Sequence, residues 1–212
     1  MSDFVPLRHA AEVTLGRMRN PESETGPLQV PYLRAANVSD GVLNLDDVKS
    51  MHFSEAEQGR YVLLEGDVLV TEASGSRAQV GQTAMWDGSL PQVMFQNTLM
   101  RLRPLPGTDA RFLYWWSQHA YAAGVYAKAA QGLAIWHLSA DRLRALPFPA
   151  LSLQEQADTA RFLDVQVTLL DKAIVLRKRQ ADLLAERRSS LVVAAITGDL
   201  DLARVSKGGQ SA

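Results

Sequence analysis

The feature that most constrains this chain is one unbroken stretch, residues 152–198. Ser152 and Glu155 have the spacing of a capping box, in which each side chain accepts a hydrogen bond from the other residue's backbone N–H. No proline or glycine follows until Gly198, and glycine commonly ends helices because it adopts the left-handed conformation without strain. The stretch predicts one helix of about 45 residues and roughly 67 Å, much longer than a usual globular helix.

One face of this predicted helix carries a coiled-coil pattern. Steps of alternately three and four residues, from position 160 to position 195, meet apolar side chains at every position except Arg177 and Arg188. A second apolar stripe lies beside the first, so the helix has more apolar surface than one small domain can cover. We therefore expect it to pair with a helix of a second chain. The predicted dimer-interface residues are Leu163, Val167, Leu170, Ile174, Ala181, Leu184 and Leu191.

A hairpin of two shorter helices is the alternative to one long helix. It would break near residues 177–179, whose sequence is Arg-Lys-Arg, and would bury the apolar stripes within a single chain. Because Lys and Arg are good helix formers, they provide no reason for a break, and one continuous helix is the preferred interpretation.

Composition limits the classes of function. Apolar residues make up 47% of the chain and charged residues 21%, as in globular proteins that build their own core. No stretch is long and apolar enough to span a membrane, and the absence of cysteine excludes disulfides and thiolate chemistry, so we expect a cytoplasmic protein. With a net charge of −1 at pH 7, any binding of nucleic acid must depend on local clusters of basic residues.

Residues 1–150 are predicted to form a mixed domain of short strands and helices. Short apolar stretches between turn residues predict strands at residues 30–38, 61–64, 67–71 and 92–102. Capping residues and apolar periodicity predict helices at residues 54–59 and 109–123. The expected fold class is therefore α+β, with this domain followed by a helical segment at residues 151–200 and a tail at residues 201–212.

The sequence lacks the common motifs of catalysis. Neither phosphate-binding glycine motif occurs, and the four histidines lack the spacing of a metal site. Ser74-Gly75-Ser76 is not a nucleophile elbow, so a small hydrolase with a site around Ser74 is the weakest alternative. We expect no catalytic residue, no metal and no cofactor.

Two glycine-bearing loops, residues 72–79 and 131–137, carry polar side chains suited to DNA. Arginine can donate two hydrogen bonds to guanine, glutamine can pair with adenine, and Trp or His can stack on a base or contact a thymine methyl. Basic residues elsewhere suit phosphate, which fixes register without reading sequence. The predicted DNA-binding residues are Arg17, Arg19, Arg34, Ser74, Ser76, Arg77, Gln79, Lys128, Gln131, Trp136 and His137.

Several motifs, in order, resemble the specificity subunits of type I restriction–modification systems. Val30-Pro31-Tyr32-Leu33-Arg34-Ala35-Ala36-Asn37-Val38 before Asp40-Gly41, then Glu65-Gly66-Asp67-Val68-Leu69-Val70, and then Arg101-Leu102-Arg103-Pro104 are similar to parts of that family. The strongest resemblance joins Leu146-Pro147-Phe148-Pro149, Leu153-Gln154-Glu155-Gln156, the long helix and Ile196-Thr197-Gly198-Asp199-Leu200-Asp201. Together these motifs cover nearly the whole chain.

The resemblance implies a target-recognition domain followed by a helical spacer. In that family the subunit has no catalytic site, reads a bipartite sequence in double-stranded DNA through two recognition domains held apart by paired antiparallel helices, and docks methyltransferase subunits. Restriction/motor subunits complete the complex. This chain holds one such domain and one spacer helix, which implies a homodimer or a complementing half-subunit as partner. Two identical copies would read an inverted repeat.

A coiled-coil assembly adaptor, whose globular domain binds a protein rather than DNA, is the second interpretation. The near-neutral charge of the chain is consistent with it. A salt titration separates the two, because only contacts with phosphate release counterions from DNA.

Overall fold

The computed structural model describes residues 3–39 and 41–199, so the predicted turn residue Asp40 and the predicted tail at residues 201–212 lie outside the described residues. The chain divides into two compact units, of which the first extends to Arg161 and the second begins at Phe162. The first unit is a mixed assembly of short strands and helices, and a long helix continues through the second. The predicted α+β class is confirmed.

The described residues form thirteen strands and six α-helices. The strands are β1 (Phe4–Pro6), β2 (Ala11–Leu15), β3 (Gln29–Leu33), β4 (Val38–Ser39), β5 (Val42–Leu43), β6 (Lys49–His52), β7 (Val68–Thr71), β8 (Ala73–Ser74), β9 (Thr83–Met85), β10 (Met94–Phe95), β11 (Leu99–Pro104), β12 (Trp136–His137) and β13 (Pro147–Pro149). The α-helices are α1 (Pro21–Thr25), α2 (Glu55–Tyr61), α3 (Ala110–Ala122), α4 (Val125–Ala129), α5 (Ala140–Ala145) and α6 (Leu153–Thr197). Short 3₁₀ turns occupy Leu7–His9 and Ala35–Asn37.

Two sheets organise the first unit. The larger is antiparallel with strand order β2-β11-β7-β9, and the smaller has the order β10-β3-β6 with β10 parallel to β3. Because side chains of a strand alternate between faces, the larger sheet contributes to two cores. Val70 belongs to the core that contains α3, whereas its neighbour Leu69 packs with Leu33 and Phe95 of the smaller sheet.

The long helix α6 begins and ends as the sequence predicts. Glu155 N–H donates to the Ser152 hydroxyl at 3.3 Å, and Ser152 N–H donates to the Glu155 carboxylate at 2.9 Å. The helix spans Leu153–Thr197 without a break, and Gly198 follows with a φ of +79°. One continuous helix is therefore confirmed, and the hairpin alternative is wrong.

The first turns of α6 belong to the first unit and contain Gln156, which is buried. Its side-chain oxygen accepts the N–H of Asp109 at 3.0 Å, and its amide nitrogen donates to the carbonyl of Leu151 at 2.9 Å. Asp109 in turn caps α3 by accepting the N–H of Phe112 at 2.8 Å. One glutamine thus sets the start of α6 against the start of α3.

Three strand predictions are wrong at least in part. The strand expected at residues 92–102 is divided into β10 and β11, with residues 96–98 between them. In the other two, local hydrogen bonds of polar side chains override apolar patterning. The strand expected at residues 61–64 is instead the end of α2 and a turn, in which Asp67 accepts the N–H of Leu64 at 2.8 Å. The strand expected at residues 30–38 ends at Leu33, where Asn37 accepts the N–H of Arg34 at 3.0 Å and closes a 3₁₀ turn. Asn and Asp commonly compete with strands in this way.

We expect a mutation of Asp67 to destabilise the first unit. It is 1% exposed and accepts two hydrogen bonds from Arg103, at 2.8 and 2.7 Å. Asp67→Ala should lower the free energy of unfolding by about 3 kcal/mol, since it leaves the partly buried guanidinium of Arg103 without its carboxylate partner. Chemical denaturation measures the change. Asp141→Ala, which removes the exposed ion pair with Arg144, is the matched control and should leave the midpoint unchanged; equal effects would contradict this account.

Candidate functional site

Two of the segments that carry predicted DNA-binding residues start at the same end of the larger sheet. β2 and β7 are each antiparallel to β11, so they run parallel to one another and their carboxyl ends lie together. The residues after β2 include Arg17 and Arg19, and those after β7 form the loop at residues 72–79. Strand pairing therefore brings together segments more than fifty residues apart in sequence.

A short segment, residues 96–98, crosses from β10 to β11 at this end and is called here the crossing segment. Within it, the carbonyl of Thr98 accepts the N–H of Glu72 at 2.9 Å. The hydroxyl of the same Thr98 accepts the N–H of Ala35 at 3.0 Å. The crossing segment therefore connects the loop after β7 to the turn that carries Arg34.

The two glycine-bearing loops pair with each other. β8 and β12 are antiparallel, with Ser74 opposite Trp136 and Ala73 opposite His137. Residues 72–79 and 131–137, called here the paired loops, are thus one structural feature. Sequence reasoning identified both loops but did not predict that they pair.

Arg77 is held in place by two contacts within this feature. Its guanidinium carbon lies 4.7 Å from the centre of the Trp136 ring, and its Nε donates to the carbonyl of Ala127 at 2.8 Å. A cation over an indole at an exposed site contributes about 0.5–1 kcal/mol. The side chain is exposed but already ordered, with donors of its guanidinium left to face solvent.

The other predicted side chains of the paired loops are mostly at the surface. Gln131 and His137 exchange two backbone hydrogen bonds of 2.9 and 2.8 Å, and the His137 ring lies 3.0 Å from a carboxylate oxygen of Glu72. Trp136 and Ser74 are half-buried. The exposed members are Ser76, Arg77, Gln79, Gln131 and His137, and the exposed Lys128 lies next in sequence to Ala127 on α4.

The tip of the second loop presents apolar side chains that sequence reasoning missed. Leu133 is fully exposed and Ile135 is 55% exposed. Gly132 has a φ of +154°, and a Cβ there would lie 1.8 Å from the carbonyl oxygen of Ile135. The tight turn therefore requires glycine. In the sequence, only Gly132 indicated this tight turn.

Arg17, by contrast, is buried inside the first unit. Its Nε donates to the Glu57 carboxylate at 2.6 Å, and its guanidinium lies 5.2 Å from the centre of the Phe53 ring. Its main-chain carbonyl accepts the N–H of Asn97 in the crossing segment at 3.0 Å. Contact between this guanidinium and a phosphate would require the ion pair with Glu57 to open.

Arg19 and Arg34 meet at a cavity of about 390 Å³, called here the basic pocket, whose lining residues are Arg19, Tyr32, Arg34, Lys49, Ser50 and Gln96. Asp47 holds two of the cations, with oxygens 2.5 Å from Arg34 and 2.6 Å from Lys49. The hydrogen bond from Lys49 is the main cause of a lowered pKa of Asp47, so this carboxylate is ionised at neutral pH. Sequence reasoning missed Lys49, which is 15 residues from Arg34 and meets it only through pairing of β3 with β6.

Among residues 3–39 and 41–199, no group of three or more His, Asp or Glu side chains is arranged to hold a metal ion. Within the same part of the chain, no helix combines the length and apolar character needed to cross a bilayer.

Gly132 gives a direct test of the paired loops. Gly132→Ala should force the turn to rearrange, at a cost of about 1–3 kcal/mol in backbone strain and steric clash. We expect large shifts of the amide signals of residues 131–137, which NMR measures. We also expect loss of the Arg77–Trp136 contact, which tryptophan fluorescence measures. Gly75→Ala is the matched control, because a Cβ at Gly75 would meet no atom within 4 Å. Unchanged signals in Gly132→Ala would show that the loop conformation is wrong.

Comparison with known proteins identifies the fold. No protein-family model and no curated protein sequence matches this chain. A solved chain of a type I R-M system, determined for its complex assembly and conformational transition, aligns with a TM-score of 0.67 at 19% identity, over 93% of this chain and 46% of that chain. The HsdS subunit from Thermoanaerobacter tengcongensis aligns with a TM-score of 0.55 at 17% identity, over 81% of this chain and 39% of the subunit.

This chain therefore spans less than half the length of the solved chains that it matches. The resemblance read from the sequence motifs is confirmed at the level of the fold. The chain has the fold of type I restriction–modification specificity subunits, with one mixed domain and one long helix.

Proposed function

We propose that this chain is a DNA-sequence-specificity subunit of a type I restriction–modification complex and that it catalyses no reaction itself. The observation that carries the proposal is the pairing of β8 with β12, which places two polar loops side by side at one end of the sheet. This arrangement occurs in a chain whose fold matches the specificity subunits. The paired loops are the reading surface.

The side chains of the paired loops suit direct reading of base edges. Arg77 offers two donors to guanine, while Gln79 and Gln131 can pair with adenine. Trp136 and His137 provide ring faces and edges for a base or a thymine methyl. Because Arg77 is already ordered by Trp136, it loses less conformational entropy on binding than a free arginine would.

Phosphate contacts come from basic side chains around these loops. Lys128 is exposed beside the carbonyl that orders Arg77, and Arg19 and Arg34 lie at the same end of the sheet. Such contacts hold the duplex in register and give affinity for any sequence. Ser74 and Ser76 can serve either phosphate or a base edge through their hydroxyl groups.

The second unit provides the means of dimerisation. Along its helix, Leu170, Ile174, Leu184 and Leu191 are between 49% and 61% exposed, and each leucine that becomes buried gains about 1.5–3 kcal/mol. Leu163, Val167 and Ala181 continue the same stripe. We propose that this stripe pairs antiparallel with the same stripe of a second copy, or with that of a complementing half-subunit.

An antiparallel pair of identical chains would read an inverted-repeat site in double-stranded DNA. The two domains would lie at opposite ends of the paired helices, so the helix length would set the gap between the half-sites. Directing an adenine methyltransferase subunit to this site, and with it the restriction/motor subunit, would couple DNA methylation to defence against foreign DNA. In such a complex the partner subunits would catalyse the reactions, and this chain would determine which DNA sequence is bound.

The coiled-coil adaptor remains a second candidate, and the apolar tip of the second loop favours it. Leu133 and Ile135 would suit a protein surface better than a phosphate backbone. A salt titration distinguishes the two functions, since an adaptor would show no counterion-release slope with DNA.

Arg77→Ala should abolish selectivity at one base pair of each half-site. Selection from a randomised duplex library by the full chain identifies the preferred site. Competition binding should then show a loss of about 1–3 kcal/mol of discrimination at one position. Lys128→Ala is the matched control, because loss of a phosphate contact should weaken all duplexes alike and reduce the salt slope by about 1.

Equal binding of selected and random duplexes by the unsubstituted chain, assayed with its methyltransferase present, would remove the proposed specificity. Equal effects of Arg77→Ala on all sequences would assign this arginine to phosphate instead of a base.

Leu170→Gln with Ile174→Gln should convert the dimer into a monomer, because it places two polar side chains in the proposed seam. Sedimentation equilibrium measures the mass, and circular dichroism checks that the helix remains. The matched control is Val175→Gln with Val193→Gln, which changes two exposed apolar residues outside the stripe and should leave the dimer intact. An unsubstituted chain that sediments as a monomer would exclude the homodimer.

A further inference from the structure

The lining of the basic pocket is cationic and contains no carboxylate. Arg19, Arg34 and Lys49 contribute to it, whereas the carboxylates that pair with them are not lining residues. These carboxylates, on Asp47 and Glu24, are 61% and 63% exposed. They hold the cations in position from outside and leave the cavity itself open to an anion.

Three further lining side chains have hydrogen-bonding groups without a partner. Within the described residues, the hydroxyls of Tyr32 and Ser50 and the side-chain amide of Gln96 make no hydrogen bond to the protein. Tyr32 is 4% exposed as a whole residue, and its hydroxyl keeps access to solvent at the pocket, where it can donate to a ligand oxygen. Three neutral donors and three cations in one cavity suit an oxyanion with several acceptor atoms.

The net charge of the site selects between kinds of phosphate. Three cations and their two carboxylate partners give one positive charge. A phosphodiester carries one negative charge, whereas a terminal phosphate carries about −1.5 to −2 at pH 7. A phosphodiester therefore neutralises the site, and a terminal phosphate leaves it negative.

Half of the residues that line the pocket, Tyr32, Lys49 and Ser50, lie on strands, and the pocket is joined to the reading surface. Tyr32 on β3 is directly opposite Lys49 on β6, and Gln96 continues from β10, the other neighbour of β3. Gln96 is also the first residue of the crossing segment, whose Thr98 bonds to Glu72 at the start of the paired loops. The strands hold Tyr32, Lys49 and Ser50 more firmly than a loop would.

We propose that the basic pocket binds one phosphodiester of the DNA backbone and so fixes the position of the duplex against the paired loops. This inference rests on the proposed function and adds Tyr32, Lys49, Ser50 and Gln96 to the DNA-binding residues. Lys49 and the two arginines supply charge, and Tyr32, Ser50 and Gln96 donate to the phosphate oxygens.

The first experiment removes charge and a donor without changing the fold. Lys49→Gln in the full chain should weaken binding of the selected duplex about tenfold and lower the salt slope by about 1, with the base preference unchanged. Tyr32→Phe keeps the buried ring and should weaken binding without changing the slope. Arg8→Gln is the matched charge control, because Arg8 is exposed and precedes β2 at the opposite end of the sheet.

A methylphosphonate scan of the duplex locates the phosphate. One neutral linkage in each half-site should weaken binding of the unsubstituted chain and have no further effect on Lys49→Gln. If Lys49→Gln and Tyr32→Phe both behave as Arg8→Gln does, while the unsubstituted chain binds the duplex, the pocket proposal is wrong and the DNA function stands.

A second experiment needs no DNA. Dimethyl phosphate should shift the NMR signals of the Gln96 side-chain amide and the Ser50 backbone amide, and these shifts should be lost in Lys49→Gln. Such shifts in a chain that binds no duplex would support the pocket and overturn the proposed function. Shifts caused by inorganic phosphate but not by dimethyl phosphate would show a site for free phosphate and overturn the phosphodiester proposal. The absence of shifts with both compounds would also overturn it.

Discussion

The first unit depends on the close approach of its two sheets at the crossing segment. Gln96 N–H donates to the carbonyl of Leu33 at 2.9 Å, and Gly16 N–H donates to the carbonyl of Leu99 on β11 at 3.0 Å. A Cβ on Gly16 would lie 2.2 Å from the carbonyl oxygen of Gln96, so the main chains approach as closely as only glycine allows. Both the core between the sheets and the proposed DNA surface are positioned by this contact.

The near-neutral charge of the chain and its proposed DNA binding agree once the positions of the charges are known. Many cations are used inside the protein, as in the pairs Arg17–Glu57, Arg103–Asp67 and Arg101–Glu12. Those at the proposed interface are either exposed, as Arg77 and Lys128 are, or line an open cavity. A local cluster of basic side chains at one end of the sheet is therefore compatible with a near-neutral net charge.

The sequence predicted local features well and long-range ones poorly. The helices α3 and α6 were predicted because their caps and apolar periodicity lie within a few residues of each other. The predictions of strands were less accurate, since Asn37 and Asp67 redirect the chain through hydrogen bonds that compete with apolar patterning. Both loops of the candidate site were identified, but Lys49 was missed because nothing in its own segment indicates that it pairs opposite Tyr32.

The sequence by itself determined that a long helix begins after Ser152, runs unbroken and leaves an apolar stripe without a partner in its own segment, because helix geometry repeats every few residues. It also determined that the chain carries two polar loops with glycine at their turns. Only the tertiary structure decided that these loops pair, that Arg17 is buried, and that six lining residues from separate segments form one basic pocket. Strand pairing joins residues far apart in the chain, and its register is settled by packing of the whole core rather than by local sequence.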